Sequence, residues 1–263
     1  MSNRTPMENL KDKVVLISGA SGGIGCAMAR IMAKENCKLV LLGRRNSVLN
    51  ELEREIKKTN PNVIAMKCDV SSQHYVKSVV ISTKAIFGKI DIAVLNAGVS
   101  YKTDKNKFDS KLAEETFDTN VLGMIYFFEE LIHEFKINGG MFVGVSSLAD
   151  GRGFPKSGFY CASKAAVTLF LESQRIELKP FNIKVLTVKP GFVKTPMTAK
   201  NEFKMPFLMD AEKAAKIILR GIKKEKRIIQ FPWQTVLGAK ILKMLPDFLF
   251  DRFAAKQRKI KGN

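Results

Sequence analysis

Lys13-Val14-Val15-Leu16-Ile17-Ser18-Gly19-Ala20-Ser21-Gly22-Gly23-Ile24-Gly25 decides how the rest of this chain is read. Its first part is a short apolar run rich in β-branched residues, which predicts a strand. Four glycines within seven residues follow, and Ala27, Met28, Ile31 and Met32 then recur at helical spacing. Strand, glycine turn and helix in that order bring backbone N–H groups and the positive end of a helix to one point, where a phosphate binds. The spacing Gly19-x-x-x-Gly23-x-Gly25 differs from the G-x-G-x-x-G fingerprint, because Met28 occupies the third glycine's place. Taken alone, the glycines serve equally well as a plain tight turn.

Outward from this unit, apolar strands alternate with helical patterns. Further strands are predicted at Leu39–Leu42, Val63–Cys68, Ile90–Leu95, Met141–Val145, Asn182–Val188 and Arg227–Phe231. Helices are expected over Asn46–Thr59, up to Phe87, over about Asp109–Phe135, from Tyr160 to about Lys179, and from about Asp210. Such alternation means an α/β fold with a doubly wound parallel sheet of seven strands, whose ligands sit at the carboxyl ends of the strands. One Rossmann-type domain is expected over residues 10–232, with an apolar lid at about 196–212 and a basic amphipathic extension over 233–263.

The polar features lie at those strand ends. Arg44 and Arg45 follow the second strand, where an acid would favour NAD and a cation the 2′-phosphate of NADP; alternatively they begin a solvated helix. Asp69-Val70 ends the third strand, and Asp69 either accepts from an adenine amino group or, like Ser71, caps the next helix. Asn96-Ala97-Gly98 closes the fourth with residues small enough for a ligand to approach the backbone. Asn120 lies amid apolar neighbours and needs a partner. Ser146-Ser147 ends the fifth strand, and Pro190, Gly191, Val193 and Thr195 follow the sixth. Tyr160 and Lys164 stand four residues apart on one helical face, with Cβ atoms about 5 to 6 Å apart. A cation so placed is expected to lower the phenol toward neutral pH, about 4 kcal/mol from its ordinary value, so that it exchanges protons with a carbonyl or alcohol oxygen.

Composition excludes several classes. With 263 residues, 46% hydrophobic and 26% charged, the chain is a globule able to bury a sizeable core. Cys26, Cys37, Cys68 and Cys161 show no CxxC spacing, and only His74 and His133 could join them, which argues against structural zinc and for a reducing compartment. Met1 to Lys13 has no apolar h-region, and no run of about 18 apolar residues occurs, so a cytoplasmic protein is expected. A net charge of +19 invites nucleic-acid or anionic-membrane readings. Residues 233–263 carry +5 of it and the rest is spread along the chain, as on a lysine-rich solvated surface. No basic motif interleaved with aromatics appears, and no nucleic-acid partner is expected.

The set Gly19-x-x-x-Gly23-x-Gly25, Asn96-Ala97-Gly98, Asn120, Ser147, Tyr160-x-x-x-Lys164 and Pro190-Gly191 resembles, in order and spacing, the short-chain dehydrogenase/reductase family over about Leu10 to Thr195. Ser18 stands for that family's usual threonine, and Leu95 for the first asparagine of its NNAG pattern. The resemblance implies an NADP(H)-dependent enzyme with Tyr160 as general acid/base. It further implies that Lys164 tunes that tyrosine and holds the nicotinamide ribose, that Ser147 hydrogen-bonds the substrate oxygen, and that Asn120 positions a water feeding protons to Lys164. Gly19, Ser21, Gly23, Ile24, Gly25, Arg44, Arg45, Asp69, Val70, Asn96, Ala97, Gly98, Pro190, Gly191, Val193 and Thr195 would line the cofactor together with Tyr160 and Lys164.

Met197, Phe203, Met205, Phe207, Leu208 and Met209 suit a lid over a greasy substrate. The expected activity is reduction of an apolar or lipid-derived ketone or aldehyde by NADPH. Its alternatives are an NADP-dependent alcohol dehydrogenase working oxidatively, or a non-catalytic NADP-sensing or nucleic-acid-binding module. Ala165, Ala166, Leu169 and Phe170 suit contact with a partner subunit, and a homodimer or homotetramer is expected. In the tail, Trp233, Val236, Leu237, Ile241, Met244 and Leu245 recur at helical spacing beside Lys240 and Lys243. Such a helix lies on a membrane surface, on the enzyme body or on a second subunit.

Overall fold

The computed structural model describes residues 9–104, 106 and 108–259, with side chains to residue 255. The expectation for Met1–Lys13 lies partly outside these residues, and so do the side chains of Lys256, Arg258, Lys259 and Lys261.

Seven strands form one parallel sheet: β1 (Val14–Ser18), β2 (Lys38–Gly43), β3 (Val63–Lys67), β4 (Ile92–Leu95), β5 (Gly140–Val145), β6 (Ile183–Pro190) and β7 (Ile228–Phe231). Their spatial order is β3-β2-β1-β4-β5-β6-β7. Every strand foreseen is present, within two residues at each end. Between them run α1 (Gly23–Ala33), α2 (Asn46–Lys57), α3 (Gln73–Phe87), α4 (Ser110–Phe117), α5 (Gly123–Asn138), α6 (Gly158–Glu177) and α7 (Ala211–Lys223). Two more helices, α8 (Trp233–Met244) and α9 (Asp247–Lys259), form the extension, separated at Pro246.

Successive strand residues face opposite sides of the sheet, so each strand supplies two cores. Val15, Ile17, Leu39, Leu41, Val94 and Val143 pack with Met28 and Met32 of α1, Leu49 of α2 and Ile218 of α7. Val14, Leu16, Val40, Leu42, Leu95 and Phe142 pack instead with Val79 of α3, Phe127 and Leu131 of α5 and Leu171 of α6. Burial on both faces explains why the strands read as continuous apolar runs. The strand order reverses at β1, between β2 and β4, and this opens a crevice at the carboxyl edge.

Two expectations need correction. The stretch expected as one helix over Asp109–Phe135 is α4 and α5 joined by a π-helical turn, Asp118–Leu122, which turns Asn120 into the interior. One inserted residue widens a helix without a breaker such as proline, so the pattern of apolar residues hides it. Neither Asp69 nor Ser71 is the N-cap of α3: that position is Ser72, while Asp69 Oδ1 accepts from the Ser71 N–H and hydroxyl at 3.2 and 2.8 Å. On α6, the buried face is Cys161, Ser163, Lys164, Val167 and Leu171. Leu169 is exposed, and Phe170 packs edge-on against Phe128.

The glycine turn sets how closely α1 approaches β1. Gly19 has φ +68°, a backbone state that disfavours any side chain. A Cβ on Gly25 would lie 2.4 Å from the Gly19 carbonyl oxygen. Gly25→Ala therefore forces α1 outward; the expected cost is about 1–3 kcal/mol of unfolding free energy, read by urea denaturation.

Candidate active site

The crevice is a cleft of about 370 Å³ floored by the ends of β1, β4, β5 and β6. All the residues expected to hold the cofactor line it except Gly25, which is buried as the spacer between α1 and β1. Ser147, Tyr160 and Lys164 line it too. Asn120 does not; it is buried behind Gly98 and Val99.

A dinucleotide fits the residues at the glycine end. Gly22 caps α1 with no side-chain bond, and the first turn carries no acid, so its N–H groups are open to an anion. Asn96 fixes the turn from behind: its amide nitrogen donates to the carbonyls of Ser18 (3.1 Å) and Gly19 (3.3 Å). The Ser18 hydroxyl in turn accepts from the N–H groups of Asn96 and Ala97. Thus Asn96 lines the cleft while its amide is spent on the turn. Leu95, where a polar residue is usual, fills the apolar layer beneath. The two arginines differ. Arg45 folds back on Ser21, donating to its carbonyl at 2.7 Å and its hydroxyl at 3.2 Å. Arg44 projects at the rim, half-exposed and 4.0 Å from Asp69.

At the other end, α6 carries Tyr160 and Lys164 over the end of β5. Lys164 is 4% exposed, and its Nζ donates to the Val145 carbonyl at 2.9 Å. Burial pushes this ammonium down to about 8. Burial raises the Tyr160 phenol above its ordinary value, and hydrogen bonding by the neighbouring Ser147 hydroxyl opposes the rise. The lowering by Lys164 expected from the spacing is therefore overturned. The ammonium is held at the Val145 carbonyl, 5.8 Å from the tyrosine ring centroid, and desolvation acts on both groups.

Behind the pair, Asn120 Oδ1 accepts from the Val99 N–H (2.8 Å). Its Nδ2 donates to the Val99 carbonyl (3.0 Å) and the Ser163 hydroxyl (2.9 Å), and that hydroxyl donates to the Tyr160 carbonyl (2.8 Å). The loop after β4 is thereby tied to the helix turn that carries Tyr160. A Cβ on Gly98 would come within 3.1 Å of Asn120 Oδ1 and 3.5 Å of Lys164 Nζ, so glycine keeps the space between them open.

The two serines at the end of β5 separate cleanly. Ser146 is buried, donating to the Lys164 carbonyl at 2.9 Å and paired with Thr168 at 2.8 Å, whereas Ser147 faces Tyr160. Three residues escaped the sequence reading: Thr168 donates to Asp150 at 2.6 Å, and Lys189 forms an ion pair with the same carboxylate oxygen at 2.6 Å. This bridge joins β6, α6 and the 3₁₀ turn Leu148–Asp150 that follows Ser147. Spacing in the chain carries no signal for it, since its members are 18 and 39 residues apart. The four cysteines are free, and burial pushes the Cys37 and Cys68 thiols up to about 12, so neither is an available nucleophile. Among the described residues no group of three His, Cys, Asp or Glu side chains could hold a metal.

A doubly wound sheet with a glycine turn at its switch point defines the class of dinucleotide-binding α/β proteins. Residues 13–205 match the family profile described as short chain dehydrogenase, and the chain belongs to that family of oxidoreductases. It is 32% identical to an uncharacterized oxidoreductase of Myxococcus xanthus, over 96% of this chain and all of that protein. It is 36% identical to 11-beta-hydroxysteroid dehydrogenase A of Sesamum indicum, over 73% of this chain and 55% of that protein. Among solved structures, a short chain dehydrogenase/reductase from Burkholderia phymatum in complex with NAD superposes with a TM-score of 0.82 at 21% identity, covering 88% of this chain and 93% of that one.

The buried ammonium gives a pH test. Lys164 binds its proton more weakly folded (about 8) than unfolded (10.5), so protonation favours the unfolded chain below that window. As pH rises from about 8 to 10.5 this penalty disappears, and the parent gains about 3 kcal/mol that a Lys164→Met variant does not. Urea denaturation of both proteins at the two ends of the window measures the difference.

Proposed function

We propose that the chain is an NADPH-dependent reductase of an apolar or lipid-derived ketone or aldehyde, with Tyr160 as the general acid. The observation that carries this reading is the Tyr160–Ser147 hydroxyl pair at the end of a cleft whose other end is the glycine turn. A nicotinamide cofactor, when bound, supplies the hydride. Ser147 then hydrogen-bonds the carbonyl oxygen and Tyr160 delivers its proton to the same atom. The raised phenol supports reduction over the oxidative alternative: it is protonated at neutral pH, and an alkoxide is a far stronger base than the phenolate left behind. Lys164, at about 8, exchanges a proton within reach of neutrality and is suited to restoring the tyrosine's. Asn120 is read as a positioning residue that holds the Tyr160 turn, and the space beside Gly98 would seat a water between its Oδ1 and the ammonium.

The preference for NADP(H) rests on Arg44. It stands at the end of β2 with no acid in the position that would select a free ribose, and its long contact with Asp69 leaves its fork free for a 2′-phosphate. The apolar substrate class is supported by the lid, in which Phe203 packs on Phe192 while Phe207 and Leu208 stay exposed, and by the likeness to a protein named a hydroxysteroid dehydrogenase. Self-association as a homodimer or homotetramer belongs to the same reading, through the exposed Leu169 and Ile176 on the outer side of α6.

Two measurements test the proposal. Following NADPH absorbance with a series of steroidal and aliphatic ketones, Tyr160→Phe should lower kcat/KM by about 10²- to 10⁴-fold while NADPH binding persists; undiminished turnover refutes the assigned acid. Arg44→Ala should weaken NADPH binding by about 10- to 100-fold, the size of a lost charge-assisted contact, and leave NADH binding nearly unchanged.

A further inference from the structure

The extension has two unlike sides. Its inner side is gripped by Arg152, two residues beyond the turn that follows Ser147. The guanidinium donates to the Leu242 carbonyl at 3.1 Å and to the Leu245 carbonyl, pairs with Asp247 at 2.6 Å, and lies 4.9 Å from the Phe250 ring centroid. Lys243 lays its aliphatic stem against Gly151. Three polar anchors and a ring thus hold α8 and α9 on the body.

The outer side is the reverse. Trp233, Leu237, Ile241 and Met244 fall at i, i+4, i+8 and i+11, one face of α8, and all are more than half exposed, Trp233 at 71% and Met244 at 85%. Phe248, at 72%, opens α9 beyond the proline. A row of five large apolar side chains left in water is the mark of an interaction surface. Its margin is cationic: Lys240, Lys243 and Arg252 form no ion pair with a described residue. The sequence from Trp233 onward carries +5. Charge decides between occupants. A symmetric second copy would set the same cations against each other, whereas an anionic bilayer satisfies both the apolar row and its basic margin. Nucleic acid would satisfy the cations and leave the apolar row in water. No described helix is long and apolar enough to cross a membrane, so the contact is with its surface.

We propose that the outer face of α8, continued by Phe248, docks the protein peripherally on anionic lipid bilayers. Because Arg152 ties this face to the loop beyond Ser147, the bilayer would lie beside the catalytic edge. On the functional reading above, that is where an apolar substrate would enter. The docking itself needs neither cofactor nor turnover, so its test stands apart from that reading.

Trp233 is the single tryptophan of the chain, which makes its emission a probe of this face alone. Titrating the full-length protein with phosphatidylserine-containing vesicles should shift Trp233 emission to the blue and carry the protein into the vesicle fraction on flotation. Pure phosphatidylcholine vesicles should do so far more weakly. Raising salt from about 0.1 M to about 1 M, where the Debye length falls from about 10 to 3 Å, should weaken binding. K240E/K243E, which retains Trp233 and the apolar row, should weaken it about tenfold or more, and L237E/I241E should do likewise. Both pairs are exposed, and unchanged circular dichroism would show that the variants fold. Unshifted emission with anionic vesicles overturns the proposal. So does a blue shift that appears with protein concentration alone, together with a doubled mass in solution, because the occupant is then a second copy; so does a shift produced by duplex DNA and not by vesicles.

Discussion

Everything at the carboxyl edge of the sheet near α6 hangs on an ammonium that the fold takes out of water. Lys164 reaches from α6 to the last carbonyl of β5, that of Val145, and donates a hydrogen bond to it. Burial pushes the group down to about 8, so the ammonium that the fold desolvates is brought within reach of exchanging a proton near neutral pH. Its cost is tolerable because the helix carrying it is anchored along its length by apolar contacts, Val167 and Leu171 among them.

The neighbours of that lysine form two rigid supports. On one side, Asn120 ties Val99 to Ser163 and so holds the backbone at Tyr160. On the other, Ser146, Thr168, Asp150 and Lys189 connect the ends of β5 and β6 through α6. With bonds of 2.6 to 3.0 Å, neither support leaves its members much freedom. The hydroxyls of Ser147 and Tyr160 are presented from this frame. On the function proposed above, such a frame would hold the reacting groups in place in advance, a recognised source of catalytic power.

The extension shows the same economy of anchoring. Arg152 spends its guanidinium on two carbonyls, a carboxylate and a ring, and in doing so fixes one side of α8 while the other faces water. Held by these contacts on its inner side and by the buried Phe250, the extension leaves the apolar row of α8 exposed. Of the +19 charge of the chain, +5 falls on residues 233–263, beside the exposed apolar row of α8, and the rest is spread along the chain.

From the amino-acid sequence came the parallel sheet, its seven strands and the glycine turn, and from its family resemblance the identity of most residues in the cleft. These depend on local pattern: two-sided apolar runs, glycines where backbone must meet backbone, and a tyrosine and lysine one helical turn apart. Only the tertiary structure decided what those groups experience. The Asp150–Lys189–Thr168 bridge, the fold-back of Arg45 onto Ser21 and the grip of Arg152 on the extension join residues far apart in the chain, so no spacing announces them, and the π-helical turn at Asn120 leaves no breaker residue to mark it. The phenol is the plainest case: neighbouring charge predicts a lowered value, and burial, a property of the whole packed edge, raises it instead. Spacing fixes which groups meet, but desolvation depends on everything packed around them.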